Sequence, residues 1–317
     1  MAFIDLEYDE LLAYTGMSPK AEDFDAFWKE KVSSLTYDNA DLVESEFKVP
    51  FATCYDLYFN SHDDVKIHSK LVIPNKLGQS PALLKFHGYA GYSGEWSELI
   101  HYAACGFTIA AMDCRGQGGE SSDQVDCERT LYGHVIRGAH EGRDHLYYVK
   151  VFLDTLVLAQ VVSNLEDVDE SNISAFGDSQ GGALALVCAS LFPIKRVSVA
   201  YPFLCDYKRV WSLKLDTFAY KGLGEHFRRF DPRHENEDDF FETLSCIDVQ
   251  NFVGNIKGKA QLFTGLIDDV CPPSTQFAAF NKIKTDKKLE VYPDYGHEKL
   301  KDLLDLRLQF FMEALDD

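Results

Sequence analysis

The chain has 317 residues, 46% of them hydrophobic and 26% charged, with a net charge of −20. That much apolar material supports a sizeable core and excludes a disordered or collagen-like chain. So acidic a surface repels phosphate backbones and anionic lipid, which argues against nucleic acid or a membrane surface as partner. The first residues carry acids where a secretory signal carries bases, and no run of about 18 apolar residues occurs, so a cytoplasmic location is expected. The eight cysteines have no C-x-x-C spacing; the closest two, Cys105 and Cys114, are nine apart. They read as free thiols rather than a zinc site or a disulfide framework.

In chain order, Ser18-Pro19 looks like a helix start, and Phe24, Phe27, Trp28 and Val32 fall near one face of the helix that follows. Residues 1–45 are therefore read as a helical N-terminal extension. Alternating segments at 54–59 and 65–74 read as strands. From residue 82 onward, short apolar runs (ALLKFHG, FTIAAMD, NISAFGD, RVSVAYP, AQLFTG, KLEVYP) alternate with helical stretches at 145–163, 180–191, 272–283 and 298–314. That alternation implies an α/β fold: a mostly parallel central sheet with helices on both faces and chemistry at the carboxyl ends of its strands. No linker divides the chain, so 1–317 is read as one domain. The segment 207–255, rich in aromatics and acids, either caps the strand ends or forms a surface excursion.

Gly177-Asp178-Ser179-Gln180-Gly181 fits G-x-S-x-G between a strand and a helix, the context this motif requires. The sharp turn strains the serine backbone, and side chains two residues to either side would strike the neighbouring strand and helix. A serine needs a base held in one tautomer. Asp268 follows the strand AQLFT, and His297 follows the strand KLEVYP, in the order Ser…Asp…His. Asp269 is the competing acid; adjacent residues point in different directions, so only one can face the histidine. Two backbone donors are needed for an oxyanion, and the N–H groups of Gln180 and Tyr89 are assigned to that role. Tyr89 and Phe203 are candidate walls of a small substrate pocket. His87 is read as structural, His62 and His68 as part of a polar turn entering a strand, and His140 with His145 as a solvated loop. No metal is expected.

Taken in order, Arg115-Gly116-Gln117, the elbow with Gly182, Gly265-Leu266-Ile267-Asp268, Pro272-Pro273-Ser274-Thr275 and Gly296-His297-Glu298, with Tyr201-Pro202-Phe203-Leu204-Cys205-Asp206 between, form a set. The set resembles carbohydrate esterase family seven, the acetyl xylan esterase and cephalosporin C deacetylase group. The resemblance implies an α/β-hydrolase with the triad Ser179, Asp268 and His297, no cofactor, and deacetylation of small acetylated substrates. It also implies a homo-oligomer, a hexamer with enclosed active sites, for which the long connection 119–145 is a candidate interface. Arg115 is read as fixing the loop through a carboxylate or carbonyl. The chain departs from many relatives in carrying Ala90 after the Gly-Tyr pair, where they have asparagine. Rival readings are a general carboxylesterase or peptidase on the same fold, or a catalytically inactive hydrolase fold used for binding.

Overall fold

The computed structural model describes residues 5–36, 40–76, 78–124, 133–215, 217 and 219–315. Its centre is a nine-stranded sheet: β1 Asp41–Glu44, β2 Ala52–Asn60, β3 Lys66–Pro74, β4 Ser80–Phe86, β5 Thr108–Met112, β6 Val168–Asp178, β7 Arg196–Ala200, β8 Lys259–Gly265 and β9 Lys287–Tyr292. The spatial order is β1-β2-β3-β5-β4-β6-β7-β8-β9. The pairings as far as β3 with β5 are antiparallel, and the remaining six strands run parallel. The sheet is thus the mostly parallel one expected.

Neighbouring residues of one strand serve different cores, as the two-residue period of a strand demands. Leu84, Ala110 and Ala175 pack with helices α4 (Tyr147–Ser163) and α5 (Gln180–Leu191). Leu83, Ile109, Ala111 and Phe176 pack with α3 (Trp96–Ala104) and the last long helix, α9 (Leu303–Met312), through Leu99, Tyr102, Phe310 and Phe311. Strands covered on both faces have no polar positions to spare, which is why β5 reads TIAAM and is buried throughout.

The N-terminal extension differs from expectation in three ways. A short helix α1 (Tyr8–Ala13) precedes the main one, α2 (Phe24–Ser33), and Asp23 rather than Ser18 sits at the start of α2. Ser18 instead gives its hydroxyl proton to Asp206 at 2.9 Å and accepts from the Lys208 N–H at 2.9 Å. Residues 41–44 form the edge strand β1, so the extension is not wholly helical. The α2 face forms as expected from Phe24, Phe27 and Trp28, with Val32 only half-buried. Trp28 and Phe24 each meet Phe252 at 4.9 Å, and Trp28 Nε1 donates to the Cys246 carbonyl at 2.9 Å.

The segment 207–255 is folded onto the body rather than looping away from it. It holds helices α6 (Tyr207–Ser212), α7 (Lys221–Phe230) and α8 (Glu237–Ser245), whose Phe227, Phe240 and Phe241 join the main core. Its aromatic richness is this packing. Asp206, fully buried and at φ 51°, ties it to the N-terminal segment. The carboxylate accepts from the Tyr14 hydroxyl at 2.7 Å, the Ser18 N–H at 2.8 Å and the Met17 N–H at 3.0 Å.

His68 lies inside β3, within the strand expected at 65–74, but it is almost fully buried rather than part of a polar entry to it. Its Nδ1 is 2.6 Å from Asp113 and its Nε2 is 3.0 Å from Asp56. Burial pushes this imidazole down, but the two carboxylates outweigh it and raise its pKa above the ordinary value. Asp113, at the end of β5, also accepts from the N–H groups of Ser93 and Glu120, at 2.5 and 3.0 Å. It therefore ties the loops after β4 and β5 together. Burial pushes its carboxyl up, but the His68 bond and the two N–H groups outweigh it and bring it down to about 2.

A depressed carboxylate stabilises the fold above its unfolded value and loses that contribution as pH falls toward its folded one. A raised histidine stabilises fully below about 6.5 and loses its contribution as pH rises through its folded value. The pair therefore contributes most between about pH 4 and 6.5. Asp113→Asn should cost about 2 kcal/mol near pH 5 and flatten the acid limb between pH 4 and 2. Thermal unfolding of both proteins across that range checks this; parallel curves would contradict it.

Candidate active site

Strand β6 ends at Asp178 and α5 begins at Gln180, leaving Ser179 alone at the corner with φ 56° and ψ −119°. A residue other than glycine held there carries strain of order 1–3 kcal/mol. Backbone bonds hold it: Ser179 N–H donates to Ala200 O at 3.0 Å, and Phe203 N–H donates to Ser179 O at 3.0 Å. The flanking glycines are obligatory on steric grounds. A Cβ on Gly181 would lie 2.0 Å from the Phe86 carbonyl oxygen, and one on Gly177 2.3 Å from the Gly181 backbone.

The three residues expected to act together are brought together. His297 Nε2 is 3.1 Å from Ser179 Oγ, and His297 Nδ1 is 2.9 Å from Asp268 Oδ2. Asp268 has no exposed surface and accepts from the Val270 and Cys271 N–H groups at 2.9 and 2.8 Å. Asp269 faces solvent, which separates the two competing acids. The loops carrying Asp268 and His297 lie against each other: Ile267 N–H donates to Tyr295 O at 3.1 Å, and a Cβ on Gly265 would lie 2.2 Å from that same oxygen. The Tyr201 ring packs on His297 at 4.5 Å.

Beside Ser179 opens a cavity of about 400 Å³, walled in part by Gly88, Tyr89, Phe203, Val270 and His297. Tyr89 and Phe203 thus line it, their rings edge to face at 5.8 Å. Gln180 opens α5, buried, directly after the serine. His87 is structural, as expected: its Nδ1–H donates to Gly88 O at 2.7 Å and its Nε2 accepts from the Cys114 N–H at 2.9 Å. Burial lowers its pKa, which keeps the ring neutral and able to accept.

Comparison with known proteins adds to this geometry. A family model described as acetyl xylan esterase matches residues 1–315. The chain belongs to the acetyl xylan esterase family. It is 46% identical to the crystallised acetyl xylan esterase 1 of Thermoanaerobacterium sp. JW/SL YS485, with a TM-score of 0.95 over 98% of this chain and 99% of that one. The acetyl xylan esterase of Paenibacillus sp. R4 is 32% identical, with a TM-score of 0.91 over 97% and 99%. The acetyl esterase Axe7A of Xylanibacter ruminicola is 30% identical over an alignment of 295 residues that covers 87% of this chain and 63% of that relative's length. Solved structures less than 25% identical share the α/β-hydrolase fold.

Within this acetyl xylan esterase fold, Arg115-Gly116-Gln117 divides its work between its two ends. Arg115, fully buried, holds Asp154 with Nε and Nη2, both at 2.7 Å, and Asp63 with Nη1 and Nη2, at 2.7 and 3.1 Å. That is the carboxylate pairing expected of it. Gln117 has a role that its sequence surroundings do not announce. Its Oε1 accepts from the Ala90 N–H at 2.9 Å and from Gln180 Nε2 at 3.1 Å. Its Nε2 donates to Gln180 Oε1 at 2.9 Å and to the Tyr147 hydroxyl at 3.0 Å. One amide thus links the loop carrying Tyr89 to the start of α5. Ala90 itself sits at φ 57°, a conformation that asparagine tolerates better than alanine, so the departure at this position is borne as backbone strain.

His140 does not lie free in a loop: its ring stacks on His226 at 5.0 Å and meets Phe230 at 4.4 Å. Of the connection 119–145, residues 125–132 lie outside those described.

Gln117→Ala removes the acceptor of the Ala90 N–H and the reciprocal bonds of the Gln180 amide, which keeps Tyr148 and His87 O as partners, a loss of about 1 kcal/mol. Urea unfolding should show that loss; a change below a few tenths of a kcal/mol would mean that the amide pair does not hold the loop.

Proposed function

We propose that this chain is a serine esterase that removes acetyl groups from small acetylated substrates, such as acetylated xylo-oligosaccharides and cephalosporin C-like esters. The observation that carries the reading is the unbroken hydrogen-bonded run Asp268–His297–Ser179 at the rim of the cavity. Asp268, acceptor to two backbone N–H groups, stays an acceptor for the proton on His297 Nδ1, which leaves Nε2 free to take the Ser179 proton. Ser179 Oγ then bonds to the acetyl carbon as the carbonyl oxygen gains charge, facing the N–H groups of Gln180 and Tyr89. The tetrahedral adduct collapses; the C–O bond to the alcohol breaks and His297 returns its proton to the departing oxygen. Water, deprotonated by His297, attacks the acetyl-enzyme, and the second collapse releases acetate and restores Ser179. Water is the only co-substrate, so the cycle needs no cofactor.

We infer a homo-oligomer, a hexamer, for the working enzyme. The edge strand β1 supports this: all four of its residues are exposed, among them Leu42 and Val43, and an open edge of that kind invites pairing or cover. The seven described cysteines are free thiols, which fits a reducing compartment such as the cytoplasm.

With an acetyl-ester assay, Ser179→Ala should lose on the order of 10⁶-fold in kcat. Asp268→Asn should lose roughly 10⁴-fold through the wrong imidazole tautomer, while Asp269→Asn stays close to the parent. A tenth of parental rate in Ser179→Ala, or a large loss confined to Asp269→Asn, would overturn the assignment. Light scattering tests the assembly separately: a mass near that of one chain would remove it.

A further inference from the structure

An acetyl ester meets the site with few polar atoms. Its carbonyl oxygen faces the backbone donors, its methyl has none, and every other polar atom belongs to the alcohol. The cavity of about 400 Å³ is far larger than an acetyl group of three heavy atoms, at roughly 30 Å³ per water-sized group. Most of it is therefore left for the alcohol.

The polar side chains on its walls are mostly committed. Ser179 and His297 hold each other, and the Tyr89 hydroxyl accepts from the His134 N–H at 3.0 Å. Thr217 is different. It lines the cavity, yet its Oγ1 is shielded from solvent with no hydrogen-bond partner among the described residues. Among the buried polar atoms left unpaired, it is the one on a residue lining this cavity, again among those described. Tyr220, three positions on, carries a second buried hydroxyl in the same condition, and its ring packs at 4.8 Å against Phe203, another wall of the cavity. A buried hydroxyl without a partner costs about 1–3 kcal/mol, and such a group calls for an explanation. Because Thr217 Oγ1 makes no bond, rotation about χ1 to a neighbouring staggered position moves the hydroxyl without breaking one.

We propose that Thr217 is a specificity residue whose hydroxyl turns into the cavity and hydrogen-bonds a hydroxyl on the alcohol half of the ester. The site then favours acetates of vicinal diols and sugars over acetates of plain alkanols, because only the former satisfy the buried group. The inference rests on the esterase reading above and adds to it what is recognised beyond the acetyl group.

The test uses two acetates of nearly the same shape, 2-hydroxyethyl acetate and propyl acetate, which differ by a hydroxyl in place of a methyl. The quantity read is the ratio of their kcat/KM values. In Thr217→Val, which keeps the shape and removes the hydroxyl, the ratio should fall about 3- to 10-fold, the worth of one neutral hydrogen bond. In Thr217→Ser the ratio should hold within about twofold, since the donor is retained. A Thr217→Val ratio equal to the parent's overturns the proposal, whether the two rates drop together or not at all. A parent enzyme idle on both acetates would instead refute the esterase reading, and this inference with it.

Discussion

The site depends on how closely two stretches of backbone approach at the Phe86 carbonyl. That oxygen ends β4 and lies where a Cβ of Gly181 would have to be, and within 2.6 Å of one on Gly177. Only glycines let β6 turn into α5 this near to β4. The closeness puts the loop after β4 beside the first turn of α5, so donors from two distant parts of the sequence can face one point. Ser179 is left at a backbone angle that the surrounding bonds, not its own preference, maintain. Gln117 completes the arrangement from a third strand end, with hydrogen bonds to both sides of the gap.

The parts of the site that depend on neighbouring residues are legible in the amino-acid sequence. A G-x-S-x-G set between an apolar run and a helix, an aspartate one loop past a strand and a histidine past the last strand are local patterns, and β-α alternation orders them along one sheet edge. Parts fixed by long-range contact are not legible in that way. Ser18 looks like a helix cap by every local rule, but its partner, Asp206, lies 188 positions away. His68 sits among polar residues in sequence and is buried in the sheet because β2 and β5 bring Asp56 and Asp113 to its two nitrogens. Gln117 carries no local sign that its amide would meet Ala90 and Gln180. The four-residue strand β1 is too short for its period to stand out.

Three buried charges are surrounded by hydrogen bonds. Arg115 meets two carboxylates with three of its nitrogens, Asp206 collects N–H and O–H donors from the N-terminal segment, and Asp268 takes backbone donors from the turn it starts. Each would be costly half-satisfied, and each joins segments far apart in sequence. The acidic excess of the chain is thus spread unevenly, with a few carboxylates serving as internal anchors.

The Asp206 anchor has a consequence for how the chain is made. Tyr14 and its partner are 192 residues apart, so at about 5–20 residues per second Tyr14 is synthesised roughly 10–40 s before Asp206. Two partners of Trp28, Cys246 and Phe252, come later still. Phe152, 6.0 Å from Trp28, is made within that interval, but the Phe252 side of the α2 face stays uncovered throughout it. The N-terminal segment thus completes its docking only once residues near 250 have been made.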